Sequence, residues 1–310
     1  MTTYVLWRLA QSVVVIFGVV TIVFVIMNLS GDPARLLMPQ ESSEEDIQAF
    51  RHETGLDRPL PEQYLLYIGR AFRADFGESL WQRGRKAMDL VVERYPATLS
   101  LGLFAFVLIL LVATPLGIIS ALKPYSWADN VAMSVALVGQ SMPGFWLGIM
   151  LILLFAVNLQ LLPSQGEGIS GPDLAHLILP GITLAAPGIA RITRLVRSQM
   201  LDVLGEQYVL TARSKGLPER TVILKHALKN AAIPLVTILG LDVGNLLAGA
   251  VIVETVFSWR GVGYLAVQAI QKLDFPLVMA DVFALACSFV LVNLVVDLLY
   301  GVLDPRIRLA

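Results

Sequence analysis

Residues 97–122 read ATLSLGLFAFVLILLVATPLGIISAL, from Ala97 to Leu122, without one charged side chain. A bilayer's hydrocarbon core is about 30 Å thick, so a helix needs roughly 20 mainly apolar residues to cross it. This run is long enough. Pro115 inside it argues against a helix in water. In a membrane bundle, neighbouring helices, side chains and water satisfy the backbone groups that a proline frees. Working outward, five more runs have the same character: 9–29, 131–159, 177–195, 234–257 and 278–301. The expected fold is an all-α membrane protein with six transmembrane helices.

The whole chain agrees. It has 310 residues, 56% of them hydrophobic and 15% charged; soluble domains carry roughly a quarter charged residues. Its mean hydropathy is +0.71. The net charge of −1 comes with no basic block interleaved with aromatics, which sets nucleic-acid binding aside. Cys287 is the only cysteine, so the chain makes no internal disulfide or cysteine cluster. The three histidines include no pair at ligand spacing, so no metal site and no catalytic constellation is expected.

The run at 9–29 is longer than the 7–15 residue core of a secretory signal and lacks an A-x-A-like exit, so it reads as a retained anchor. Residues 30–95 are polar, with an acidic stretch from Glu41 to Asp46, a short helix expected near 44–53, and a turn at Arg58-Pro59-Leu60-Pro61. The chain thus divides into 1–95, an anchor with a polar segment, and 96–303, a core of five spans that includes a loop at 200–233. Pro143-Gly144 marks a kink or break in the third span. Pro180 and Pro187 sit in the fourth, and recurring Gly and Ala allow helices to approach closely.

Lys and Arg in short loops set orientation. Arg8, Lys123, the region 191–229, and Arg306 with Arg308 share one side if both termini are cytoplasmic. Within the spans, Asp242, Asn245 and Glu254 are candidates for a polar pathway wall, since charges in lipid are costly and face protein or water. A packing role fits Asp242 and Glu254 equally well.

The loop at 200–233 carries the sharpest pattern. A short helix is expected over 206–214, ending at Gly216, with a second starting at Pro218. Leu224, Ala227, Leu228 and Ala231 then form an apolar stripe. Ala212 and Gly216, four apart, would make a smooth spot for another protein. Arg213 and Lys215 could pair with acids on it. Composition alone favours a plainer reading, an amphipathic surface loop carrying positive-inside charge.

Tyr208, Thr211, Ala212, Arg213, Lys215 and Gly216 match a Tyr-x-x-Thr-Ala-Arg-x-Lys-Gly pattern. The loop resembles the EAA loop of ABC importer permeases in its dipeptide/oligopeptide/nickel branch. His226 to Ala231 and Ile233-Pro234 fit the same branch. So do Gly31-Asp32-Pro33, Gly55-Leu56-Asp57-x-Pro59, Asp75-Phe76-Gly77-x-Ser79, Arg94-x-Pro96, Pro143-x-Phe145-Trp146, Glu254-x-x-Phe257-x-Trp259, Asn293-Leu294-x-x-Asp297 and Asp304-Pro305-Arg306. Arg260 departs from it, standing where the family commonly has proline. The Glu of the general EAA pattern is absent from its first position.

The resemblance implies a type I ABC importer permease, the first of two, in a bacterial cytoplasmic membrane. Its ATPase-coupling loop would comprise Glu206, Tyr208, Thr211, Ala212, Arg213, Lys215, Gly216 and Leu217. Implied partners are a second homologous permease, one or two ATPase subunits and an extracytoplasmic substrate-binding protein. The chain has no phosphate-binding G-x-x-x-x-G-K-[ST] loop. ATP and Mg would therefore sit on partner subunits, and this chain would bind no cofactor. Peptides lead as cargo, ahead of nickel chelates or glutathione. The alternative is a secondary transporter driven by an ion gradient, which would use Pro143 and Asp242 but leaves the loop unexplained.

Overall fold

The computed structural model describes residues 2–29, 31–39, 41–166 and 173–303. The C-terminal Asp304-Pro305-Arg306 and Arg308 lie outside the described residues. The chain forms α1 (Thr2–Leu29), α2 (Pro33–Leu37), α3 (Glu44–Thr54), α4 (Leu60–Ala71), α5 (Ala87–Leu122), α6 (Trp127–Ser141), α7 (Gly144–Leu151), α8 (Leu174–Leu204), α9 (Gln207–Ser214), α10 (Glu219–Thr221), α11 (Leu228–Val256), α12 (Val262–Gln271) and α13 (Phe275–Leu303). Two π-helical stretches, Ile152–Asn158 and Val222–Ala227, continue α7 and join α10 to α11. Five stretches among the described residues are long and apolar enough to cross a membrane: Trp7–Leu29, Ala87–Leu122, Leu174–Leu204, Pro234–Val256 and Phe275–Val296. The sixth expected span is the pair α6 and α7, bent by 109° at the break that Pro143 marks.

Two compact units divide the chain. One comprises Met1–Thr98 with Arg260–Leu294, the other Leu99–Trp259 with Val295–Ala310.

In the first unit, the polar segment is more helical than its composition suggests. Ser43 and Asp46 cap α3 reciprocally: the Asp46 amide donates to Ser43 Oγ at 3.2 Å and the Ser43 amide to Asp46 Oδ2 at 3.3 Å. Glu44, Glu45 and Asp46 lie in the first turn and Arg51 and His52 in the last, which complements the helix dipole. The turn expected at 58–61 is instead the start of α4. Pro59 precedes its first residue and Pro61 sits in its first turn, where a missing N–H costs nothing. Helix α12 lies between the apolar runs at 234–257 and 278–301 and buries Val262, Gly263, Leu265 and Ala269.

Phe24 and Met27 of α1, Phe76, Leu90, Leu265, Leu277 and Ala284 belong to one apolar core. Asp274 pins the segment to it. This fully buried carboxylate accepts from Ser79 Oγ (2.5 Å), the Trp81 amide (3.1 Å) and the Leu277 amide (3.2 Å). The Asp75-Phe76-Gly77-x-Ser79 motif thus places Phe76 in the core and Ser79 on Asp274.

In the second unit α8 is the central element. Its span is 56% buried, against 17–39% for the other four. Pro180 and Pro187 lie inside it. Gly181 and Gly188 form notches for α5: a Cβ at Gly181 would stand 2.2 Å from Phe104, and one at Gly188 2.5 Å from Ile109. This is the close approach that small residues permit.

Candidate functional site

Helix α9 lies in the loop between the long helices α8 and α11. Glu206 stands before its first turn in extended backbone, without a capping side-chain bond. Its end is closed by Gly216 at φ +74°, where the Gly216 amide donates to Arg213 O (2.9 Å) and the Leu217 amide to Ala212 O (3.4 Å). These are the two bonds of a Schellman motif, which satisfy carbonyls that a helix end leaves over.

Val209 and Ala212 turn inward and pack with Val222, against the partly buried Val203 and Leu204. The expectation that Ala212 and Gly216 share an outward spot is therefore corrected. Residues four apart share a face only while the helix continues, and Gly216 lies beyond the last helical residue, Ser214. Ala212 faces its own chain. Gly216 is exposed, and a Cβ added there would meet nothing within 4 Å.

Arg213 is engaged within the chain too. Its Nη2 donates to Glu219 Oε1 at 2.6 Å and its Nε to Glu219 Oε2 at 3.3 Å. The Arg213 guanidinium holds the Glu219 carboxyl below its ordinary range, and Glu219 pushes Arg213 up. Lys215 remains exposed. Tyr208 Oη accepts from Asn230 Nδ2 at 2.9 Å, tying α9 to the first turn of α11. Thr211 Oγ1 donates to Gln207 O at 2.9 Å and stays exposed. Leu217 is 37% exposed. Leu210, which the sequence reading did not single out, is 52% exposed; a leucine one turn from Ser214 among polar residues is its signal.

Leu224 does not join the expected apolar stripe. Ala227 and Ala231 are buried and Leu224 is exposed. The π-helical stretch over Val222–Ala227 changes the residue period, so a 3.6-residue stripe loses register there. Tyr208, Leu210, Thr211, Lys215 and Leu217 are exposed around α9 and its C-terminal end: apolar and hydrogen-bonding groups with a cation.

The pathway candidates divide. Asp242 and Asn245 line one cavity of about 220 Å³ with Arg191, Pro187 and Gly188. Glu254 is fully buried and does not line it; it stands about 18 Å further along α11 at 1.5 Å per residue. Asp242 contacts Arg191 Nη2 at 2.5 Å. The sequence reading counted Arg191 only as a loop charge, whereas the structure puts it inside α8 beside a buried carboxylate. A second missed pair joins α8 to α6: Arg197 Nε and Nη2 donate to both Asp129 oxygens at 2.7 and 2.8 Å. Opposite charges two residues outside the apolar runs at 131–159 and 177–195 were the available signal. A larger cavity, about 610 Å³, lies in the first unit; Leu56, Asp75, Phe76, Gly77 and Ser79 of the outer-segment motifs line it, and none of the coupling or pathway candidates does.

Five membrane-length helices and one bent pair among the described residues define a multi-pass membrane protein. The fold is that of a type I ABC importer permease: the chain resembles a chain of the inward-facing MetNI methionine ABC transporter with a TM-score of 0.57 at 19% identity, over 70% of this chain and 97% of that one. The chain belongs to the family described as binding-protein-dependent transport system inner membrane component, which matches residues 113–309; the N-terminal component of such systems matches residues 1–102. It is 38% identical to the oligopeptide transport system permease AppB of Bacillus subtilis, covering 99% of this chain and 100% of that one. It is 40% identical to the dipeptide permease DppB and to the glutathione permease GsiC of Escherichia coli, with 99% of each chain covered in both cases.

Proposed function

We propose that this permease forms half of the translocation pathway of an ATP-driven peptide importer. A second homologous permease completes the pathway, and a binding protein outside delivers di- or oligopeptides. One or two ATPase subunits, which hold ATP and Mg, dock on the exposed face of α9. Both termini lie in the cytoplasm and 30–95 lies outside. The observation that carries this reading is full-length similarity to permeases named for oligopeptides, dipeptides and glutathione, itself a modified tripeptide.

The mechanism follows from how α9 is tied. Movement of the ATPase on binding ATP would displace α9. Val209 and Ala212 on Val222, and Tyr208 on Asn230, pass that displacement to α11, while the turn at Gly205 passes it to α8. The cavity holding Asp242 and Asn245 lies between those two helices, so it changes shape as they move.

The test is uptake by the reconstituted complex with its binding protein. Labelled di- and tripeptides should accumulate only with ATP inside the reach of the ATPase. Uptake that survives ATP depletion while a proton gradient is kept would sink the reading in favour of a secondary transporter. Reporter fusions should read cytoplasmic after residue 310 and external within 30–95.

A further inference from the structure

Helix α8 carries three arginines at three-residue intervals, and their partners are unequal. Arg197 has the fully matched carboxylate of Asp129. Arg191 has Asp242, in ion contact without a well-formed hydrogen bond to either carboxylate oxygen. Among the described residues Arg194 has only a neutral partner, the side-chain oxygen of Gln140. Three cations therefore face two carboxylates. Moreover, the Nε atoms of Arg191 and Arg194 are both buried without an acceptor, while Arg197 Nε is satisfied. Buried donors left without an acceptor are costly, and more so when charged. The two unsatisfied donors belong to residues three apart on one helix, whose Cβ atoms stand about 5–6 Å apart. What is missing is one negative charge bearing at least two acceptor oxygens.

We infer that Arg191 and Arg194 form an anion subsite that receives the C-terminal carboxylate of the transported peptide. The inference rests on the peptide reading above. A carboxylate is planar, singly charged and has two oxygens, which suits guanidinium forks. Asp242 is 3% exposed and stands in contact with Arg191; it serves as the counter-ion when the subsite is empty and disfavours a more highly charged occupant. The cavity beside Arg191, about 220 Å³, admits the end of a peptide rather than a whole one. The Arg191 side chain is 42% exposed beside the buried Asp242, so the site is open on one side. The subsite selects for a free carboxyl end and passes it along α8 by exchange with Asp242.

The experiment uses the complete complex in liposomes, with saturating binding protein. The probes are a tripeptide and its C-terminal amide, chosen as a pair that the wild-type complex takes up. Each variant is expressed relative to wild type for each peptide, so the binding protein's own preference cancels. Arg194→Gln, which can still bond to Gln140, should lower uptake of the free acid by about tenfold or more, the worth of a charge-assisted hydrogen bond. Uptake of the amide, which offers Arg194 no charge, should fall by a clearly smaller factor than that of the acid. Arg194→Lys should recover most of the acid uptake.

Equal losses for acid and amide in an assembled complex would overturn the inference and mark Arg194 as a strut or a contact to the second permease. No loss for either peptide would also overturn it. A loss that follows the anionic lipid content of the liposomes, rather than the peptide's end, would assign the site to a headgroup phosphate instead. If no tripeptide is found that the wild-type complex takes up, the peptide reading falls and this subsite with it; a defect confined to the variants concerns the subsite alone.

Discussion

Gly55 and Gly216 close α3 and α9 with the same pair of backbone hydrogen bonds. At α3 the Gly55 amide donates to His52 O and the Leu56 amide to Arg51 O; at α9 the donors are the amides of Gly216 and Leu217. Both glycines are left-handed, at φ +75° and +74°. Their surroundings differ. A Cβ at Gly55 would stand 2.9 Å from Leu66 Cδ1 and 3.2 Å from Arg58 Nε, whereas one at Gly216 would meet nothing within 4 Å. Glycine at a helix end is therefore explained by backbone conformation in both places, and by itself says nothing about a partner. The open space at Gly216, which Gly77 and Gly84 share, leaves room for the ATPase proposed above, and the exposed Leu210 and Leu217 belong to the same short segment.

The largest effect should come from filling that space. Gly216→Trp should leave the subunit inserted but cut ATP-driven uptake by about tenfold or more, or release the ATPase, as obstruction at an interface centre does. Gly216→Ala separates bulk from strain. It carries the left-handed penalty of about 1–2 kcal/mol and should keep most of the transport. If alanine is as damaging as tryptophan, the backbone matters rather than the space, and the contrast with Gly55 collapses.

Gly55→Ala should be the more harmful of the two alanine variants to folding and the less harmful to coupling. It adds displacement of Leu66 to the same strain of about 1–2 kcal/mol. The outer segment should become more sensitive to limited proteolysis while the ATPase stays bound. A smaller loss follows from Asp46→Ala, which removes the capping box of α3. It should weaken that helix by about 1 kcal/mol and leave coupling unchanged. A transport defect there, with the ATPase still bound, would mean that the outer segment takes part in coupling after all.

Much of this was legible in the sequence. Apolar runs long enough for a bilayer fix where helices cross, and Pro143 marked the bend between α6 and α7. The short helix at Gln207–Ser214 also stands where its pattern put it. What stayed hidden depended on contacts between distant residues. The sequence shows that Arg191 and Asp242 are charged and not that helix packing brings them to 2.5 Å. It placed Ala212 and Gly216 on one face because helical periodicity was carried two residues too far. It missed α4 because two prolines resemble a turn until the register of the first helical position is known. Local patterns named the elements, while tertiary packing decided which side of each element is free.

The smallest expected effect concerns Arg213, and it separates the sequence reading from the structural one. The sequence offers Arg213 to acids on a partner; the structure pairs it with Glu219, 2.6 Å away. Both side chains are substantially exposed, at 38% and 54%, so salt screens their attraction and the pair contributes little to stability. The pH dependence has a definite sign. Arg213 depresses the Glu219 carboxyl, so whatever the pair contributes is present above the unfolded carboxyl value, about 4.3, and is lost as pH falls through the lower folded value. The raised Arg213 stays charged throughout the working range, so it adds no pH dependence there. Between pH 7 and pH 5, then, Glu219→Gln should shift neither the melting temperature of the complex nor uptake beyond experimental scatter. Any small effect should fade in high salt. Arg213→Ala should behave alike if Glu219 is its working partner. If Arg213→Ala instead releases the ATPase while Glu219→Gln does not, Arg213 leaves Glu219 on assembly and turns to the partner, and the inward half of this comparison has to be redrawn.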